Sequence, residues 1–402
     1  MRGFRHALRR ITMTDIQSGP KDRFFIRAVF FVQPLLLGAW FPRIAELQQK
    51  LDLGPADLSW ALIGMPIGLL ISLIFAGRLA DRVGAKPLLL VSLLGFFVAM
   101  PFVPTAQSQW GLFYFLMMGG VFMAAVELAM NVMADRIERY GDRLIMAGCH
   151  GFWSLGVLAG GAVSTIFAHQ GIGPFASLLT IALVMVVPAL YAATGLRELP
   201  AIETKAKTRH PSTRPGWPVF AVCLFTGGIA LAEGAMADWA AVYLTDVFNA
   251  SPAAAGSGYL IFAFAIAFGR FNGDWIRQRF DTVRAARLFV LTALIGLALL
   301  VFAGNRSVAS LGFGLVGLGL SSGFPLGVSV VSGRPGRSSA ANVGLLSQIA
   351  LAGFLISPPL IGLVAESHGL RVGLATVAIA LCISLVMTRE LRDRPAQTAL
   401  KT

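Results

Sequence analysis

Apolar residues run along this chain in long stretches, and short polar stretches interrupt them at regular intervals. Twelve stretches approach or exceed the roughly 20 residues that a helix needs to cross a bilayer. They are 24–46, 57–76, 87–104, 110–134, 145–168, 175–194, 217–244, 255–275, 286–303, 308–332, 340–364 and 371–388. Between the sixth and the seventh lies a polar stretch from Arg197 to Gly216 that holds Lys205, Lys207, Arg209, His210 and Arg214. The pattern predicts an all-α membrane protein of twelve transmembrane helices in two six-helix, pseudo-symmetric bundles. The expected parts are a tail (1–23), a first bundle (24–196), a linker (197–216), a second bundle (217–389) and a tail (390–402).

Composition agrees with lipid as the solvent. Hydrophobic residues make up 56% of the chain and charged ones 13%, about half the charged share of a soluble domain. The net charge of +13 would suit nucleic acid, but the basic residues form no single patch with interleaved aromatics. They sit in short runs between apolar stretches, as in cytoplasmic loops. The tails, the linker and the other loops on that side carry 29 of the 33 basic residues, leaving Arg43, Lys50, Arg306 and Arg371 opposite. This split places both termini and the linker in the cytoplasm. The run after the basic N-terminal tail is too long for a signal-peptide core, and Met13 offers a second possible start. Cys149, Cys223 and Cys382 each lie inside an apolar run with no metal-pair spacing, and they read as small buried hydrophobes. The five histidines are isolated and there is no phosphate-binding loop, so nothing supports an enzyme, a metal site or ATP-driven chemistry.

The two halves echo each other in their loops. Between spans two and three the chain reads Gly77-Arg78-Leu79-Ala80-Asp81-Arg82-Val83-Gly84-Ala85-Lys86. Between spans eight and nine it reads Gly269-Arg270-Phe271-Asn272-Gly273-Asp274, then Arg277 and Arg279. The first of these resembles the loop signature of the major facilitator superfamily, and twelve spans in six-plus-six symmetry fit that family's repeats. The resemblance implies a secondary transporter of the bacterial inner membrane in which Gly77, Asp81, Arg82, Gly84, Gly273, Asp274 and Arg277 form a conformational latch. Gly77 is expected to let two helices approach closely, and Asp81 to meet the N-terminal dipole of a neighbouring helix. Three further stretches look like the fucose-permease-like branch: Val126 to Asn131, Ile145 to Gly156 and Ala232 to Trp239. In fucose permeases a glutamate four residues before an asparagine on span four serves coupling, and Glu127 and Asn131 match that pattern. The same family carries an aspartate on span one, where this chain offers Gln33.

Ionisable groups inside a span are functional candidates by default. Glu127 lies about seven residues from the predicted inner end of span four, with Asn131 one turn on. His150 lies about five residues into span five. The two depths are similar, so Glu127 and His150 are placed to meet, either as a proton site or as a structural clasp. Glu233 and Asp238 lie on span seven, five residues apart and so on different faces. Proton coupling is expected among Glu127, His150, Glu233 and Asp238. Substrate contacts are expected from Gln33, Trp40, Asn131, Trp153, Glu233, Asn342 and Gln348. Amides suit hydroxyl groups, and indoles suit the C–H faces of sugars. Arg43 and Glu46 are placed to pair at the outer end of span one. With no Lys or Arg near the midplane, the solute is expected to be neutral or cationic. The expected function is proton-coupled symport of a sugar, polyol or related solute. The alternative is proton-driven efflux of an amphiphile, which draws on Gly160-Gly161. Those glycines otherwise read as tight packing. The expected driving force is a proton gradient without a cofactor. The expected partners are a small molecule and the bilayer, with no nucleic acid, and the chain is expected to act as a monomer.

Overall fold

The structure, a computed structural model, describes residues 18–141, 143–200, 214–334 and 337–392. The predicted tails and linker fall largely outside these residues, as do the side chains of Gly273, Asp274 and Arg277. Among the described residues, twelve helical segments are long and apolar enough to cross a membrane. In chain order the first six are α1 (Pro20–Lys50), α2 (Pro55–Val83), α3 (Ala85–Thr105), α4 (Gln109–Arg139), α5 (Met146–His169) and α6 (Pro174–Gly195). The second six are α7 (Trp217–Phe248), α8 (Pro252–Arg279), α9 (Thr282–Phe302), α10 (Arg306–Ser332), α11 (Ser339–His368) and α12 (Leu370–Leu391).

Several helices outrun the apolar stretches that predict them. α4 continues five residues past position 134 to Arg139, and its last turns carry Asp135, Arg136, Glu138 and Arg139. These side chains serve the helix end. Glu138 accepts the N–H groups of Ile145 and Met146 at 2.6 and 2.9 Å, satisfying donors at the start of α5 that have no partner within their own helix. Ser108, Asp281, Asn305 and Ser338 cap α4, α9, α10 and α11 by accepting a backbone N–H three residues on. α1 breaks after Val32, where Gln33 and Pro34 interrupt the helix, because proline lacks the N–H that would continue the ladder.

Packing repeats between the halves. α1 packs on α5, α2 on α4 and α3 on α6; six helices further on, α7 packs on α11, α8 on α10 and α9 on α12. The two bundles meet through α2 with α11 and through α5 with α8, again related by a shift of six. α7 buries 83% of its most apolar window, against 33% for α6 and α12, so α7 is central and α6 and α12 are outermost. Most of the exposed side chains of those outer helices are apolar, Leu183, Val187, Ile379 and Val386 among them, as lipid contact requires.

Small residues set the closest seams. A methyl group on Gly38 of α1 would run into the carbonyl of Val157 on α5. One on Gly156 would meet that of Phe31, and one on Gly160 that of Leu35. Backbone lies on backbone along this seam. Gly160→Leu is therefore expected to cost at least about 3 kcal/mol, the upper range for overpacking. The check is the thermal unfolding midpoint of the purified protein in detergent. A midpoint equal to that of the wild type would mean the seam can open without cost.

Candidate functional site

The facing walls of the two bundles enclose a cavity of about 530 Å³. From the first bundle it receives Trp40 of α1, Glu127 and Asn131 of α4, and Trp153 and Ser154 of α5. From the second come Glu233 and Asp238 of α7, Tyr259 and Arg270 of α8, Phe324 of α10 and Phe354 of α11.

Glu127 stands twelve residues short of Arg139, where α4 ends, so it lies roughly 18 Å along the axis from that end. It is half-buried, and its carboxylate has no side-chain partner among the described residues. Asn131 follows one turn on, with its Nδ2 donating to the Glu127 backbone carbonyl at 2.8 Å. His150 is not on the wall. It lies four residues into α5, and its ring packs edge-on against Phe30 with centroids 5.4 Å apart. The expected meeting of Glu127 and His150 does not occur, because α4 extends beyond its apolar stretch and sets Glu127 deeper than His150.

Glu233 and Asp238 both face the cavity, contrary to the expectation from their spacing of five. With Gly234 and Ala237 they cover an arc of about 140° at 100° per residue, and the wall wraps that far around the central α7. Arg270 is the largest departure from the sequence reading, which has no cation near the midplane. It lies nine residues before the end of α8 at Arg279 and lines the cavity. Its Nη2 donates to Glu233 Oε1 at 3.2 Å, and its Nη1 to Ser154 Oγ at 2.9 Å. The first contact is an ion pair within the second bundle; the second joins the bundles. The sequence signal for Arg270 was a lone arginine inside the predicted span 255–275, assigned to the loop because of its neighbour Gly269. Tyr259 carried no signal beyond being apolar in body. It is buried, within electrostatic reach of Glu233 and Asp238, and its ring lies 4.9 Å from that of Phe41.

The expected amide lining does not assemble. Gln33 is fully buried, away from the cavity. Asn342 is fully buried and donates to the carbonyls of Val331 and Arg334 at 3.3 Å each, tying α11 to the end of α10. Gln348 is exposed off the cavity wall. Trp40 and Trp153 line the cavity, and Arg43 pairs with Glu46 at 2.7 Å while also donating to the Ile172 carbonyl.

The end of the molecule away from the termini is sealed between the bundles. Gln48 Nε2 donates to Asp246 Oδ2 at 3.4 Å, and the Ala56 N–H donates to Glu366 Oε2 at 3.0 Å. Gly362 of α11 lies so close to α2 that an added Cβ would sit 2.5 Å from the Pro55 carbonyl oxygen. Toward the termini the wall is open, and Ser347, Leu73 and Phe324 of the lining are exposed.

The latch residues divide. Gly84 ends the long helix of α2 with φ of 92°, a left-handed backbone that favours glycine. Beside it Lys86 Nζ donates to the carbonyls of Thr194 and Leu196 at 2.8 and 2.6 Å, fastening this loop to the end of α6. Asp81 and Arg82 are exposed, and among the described residues Asp81 has no bonding partner. A Cβ on Gly77 would meet nothing within 4 Å. The expected close approach at Gly77 is absent because the end of α2 stands apart from the second bundle here. The second-half latch, Gly273, Asp274 and Arg277, falls on α8 where side chains lie outside the described residues.

Residues 28–349 match the family model described as Major Facilitator Superfamily. An uncharacterized MFS-type transporter of Yersinia pestis is 27% identical over 92% of this chain and 96% of its own. The membrane protein MosC of Rhizobium meliloti is 26% identical over 96% of each. Among solved structures, the nucleoside transporter NupG in a mutant form superposes with a TM-score of 0.73 at 12% identity, covering 92% of this chain and 98% of that one. A bacterial homologue of the lysosomal transporter Spinster, inward-facing and unoccupied, gives 0.69 at 17% over 94% and 100%. The Escherichia coli fucose:proton symporter FucP gives 0.59 at 17% over 94% and 100%. At these identities the solved structures speak for the fold.

Proposed function

The chain belongs to the major facilitator superfamily, and we propose that it works as a proton-coupled carrier of a small neutral or cationic solute. The solute binds in the cavity between the bundles, and access alternates between the two ends. Glu127 carries the coupled proton. The observation that carries this reading is the Glu127 carboxylate, which opens onto the cavity near the middle of a 31-residue crossing helix without a counter-charge to hold it. Opening first to one side and then to the other lets such a group load and release a proton once per cycle. Glu233 differs, because Arg270 already compensates it.

The lopsided distribution of lysine and arginine supports cytoplasmic termini. With that orientation the sealed end is extracytoplasmic, and the carrier rests facing inward. The paired Glu127 and Asn131 are the one feature of the wall that would suit uptake of a sugar or polyol. Against it stands the scarcity of amides on the wall, where Asn131 is the one amide side chain among the described lining residues.

A thermal-shift screen of the purified protein against sugars, polyols, amino sugars and lipophilic cations identifies a ligand for the transport assay. In proteoliposomes, accumulation of that ligand is expected to follow an imposed pH gradient and to collapse with a protonophore, while exchange at equal pH persists. Accumulation that ignores the protonophore would overturn proton coupling.

A further inference from the structure

The cavity wall also restricts what the carrier can hold. Its acidic and basic lining side chains are Glu127, Glu233, Asp238 and Arg270. Arg270 is engaged by Glu233 and Ser154, which leaves two carboxylates unmatched, Glu127 on one bundle and Asp238 on the other. An anionic solute would meet two like charges and a guanidinium already in use. A neutral solute would cover both carboxylates without balancing either charge. A cation alone among the three improves the charge balance.

Depth separates the two acids. Glu127 lies twelve residues from the termini end of α4 and Arg270 nine from the same end of α8, so the guanidinium opposes a second cation at that level. Asp238 stands ten residues from the opposite end of α7, at the level of Trp40, Phe41 and Tyr259. Of these, Trp40 and Tyr259 are buried in packing, and the half-buried Phe41 offers apolar area and an electron-rich face that attract an organic cation. Most of the remaining wall is aliphatic or aromatic, and about 530 Å³ accommodates a drug-sized molecule.

We infer that the transported solute carries a protonated amine on a hydrophobic, aromatic-sized body, with the ammonium held by Asp238 on the side of the cavity that Phe41 lines. This rests on the carrier reading but not on the proton role of Glu127. Asp238 binds the ammonium and Glu127 stays free to titrate.

Four probes that share one phenyl body separate the alternatives: 2-phenylethylamine, 2-phenylethanol, 3-phenylpropanoate and phenylalanine. Binding to the purified wild-type protein at neutral pH is read by thermal shift and by calorimetry. The amine is expected to bind at least about tenfold more tightly than the alcohol, the return on one charge-assisted hydrogen bond, and the acid not to bind. Asp238→Asn is expected to weaken the amine by about 10- to 100-fold and to leave the alcohol unchanged. Gln348→Ala, off the cavity wall, is expected to retain the amine. Equal binding of amine and alcohol to the wild type would overturn the inference without any variant, as would a preference for the acid. Preferential binding of phenylalanine would overturn it in favour of a zwitterion that frees Arg270 from Glu233. If Asp238→Asn does not fold, Asp238→Glu keeps the charge and should keep the amine, whereas Phe41→Leu should weaken it. Amine binding without proton-driven accumulation would leave this inference standing and defeat the proposed coupling instead.

Discussion

Glu127→Gln is expected to abolish accumulation driven by a proton gradient while leaving equilibrium exchange of solute largely intact. Glutamine copies the shape and hydrogen bonding of the protonated acid but cannot release a proton. A gradient of one pH unit stores about 1.4 kcal/mol per proton, enough for about tenfold accumulation in the wild type. In the variant the ratio should fall to about one. Glu127→Ala is expected to behave the same way, because the group that Asn131 binds is the backbone carbonyl of residue 127, which alanine keeps. His150 is no partner to lose. The measurement is uptake with and without a pH gradient in proteoliposomes, beside counterflow at equal pH. Undiminished accumulation in Glu127→Gln would move the proton to Asp238 or Glu233. Loss of counterflow as well would make Glu127 a solute ligand.

The second large effect is expected at the sealed end. Gly362 faces Pro55 and Ser59 with no room for a side chain, and this contact closes the cavity away from the termini. Gly362→Leu places a branched side chain against backbone. It should cost the closed form about 2–3 kcal/mol, a population shift of more than about tenfold toward a form open at that end. The variant should bind solute yet transport it at no more than about a tenth of the wild-type rate. Ser59 is buried in the present form. In a background without native cysteines, Ser59→Cys should therefore react slowly with a membrane-impermeant thiol reagent, and quickly once Gly362→Leu is added. Slow labelling in both would show that α2 and α11 remain closed.

Much of the fold was legible in the sequence because burial in lipid and burial in protein demand the same residues, and hydropathy reads both. Twelve apolar stretches became twelve crossing segments. Their ends were less legible, since hydropathy detects the apolar slab and not the helix. α4 runs on through charged turns to Arg139, and α8 to Arg279. One error at the site comes from reading Gly269 as the start of a loop, and the other follows from the extension of α4. Arg270 looked like a loop residue, and Glu127 looked level with His150. Rotation about the helix axis was the other gap. A polar residue in an apolar stretch announces that it needs a partner but not which way it faces. Asn342 found carbonyls at a helix end, Gln33 is buried in packing off the cavity, and Asn131 reached the wall. Glu127, Glu233 and Asp238 were identifiable because a charge within a membrane has few places to go.

The glycine seam between α1 and α5 bears on how an inhibitor could act. With backbone against backbone at Gly38, Gly156 and Gly160, there is no side chain to rotate and no slack to absorb. Trp40 and Trp153 therefore ride together as one jaw of a vice. The opposing jaw carries Tyr259 and Phe354. A solute short enough to be gripped travels with the stroke. A rigid molecule slightly longer than the closed gap, lodged between Trp153 and Phe354, would act as a wedge. It would stall the carrier by holding the jaws apart.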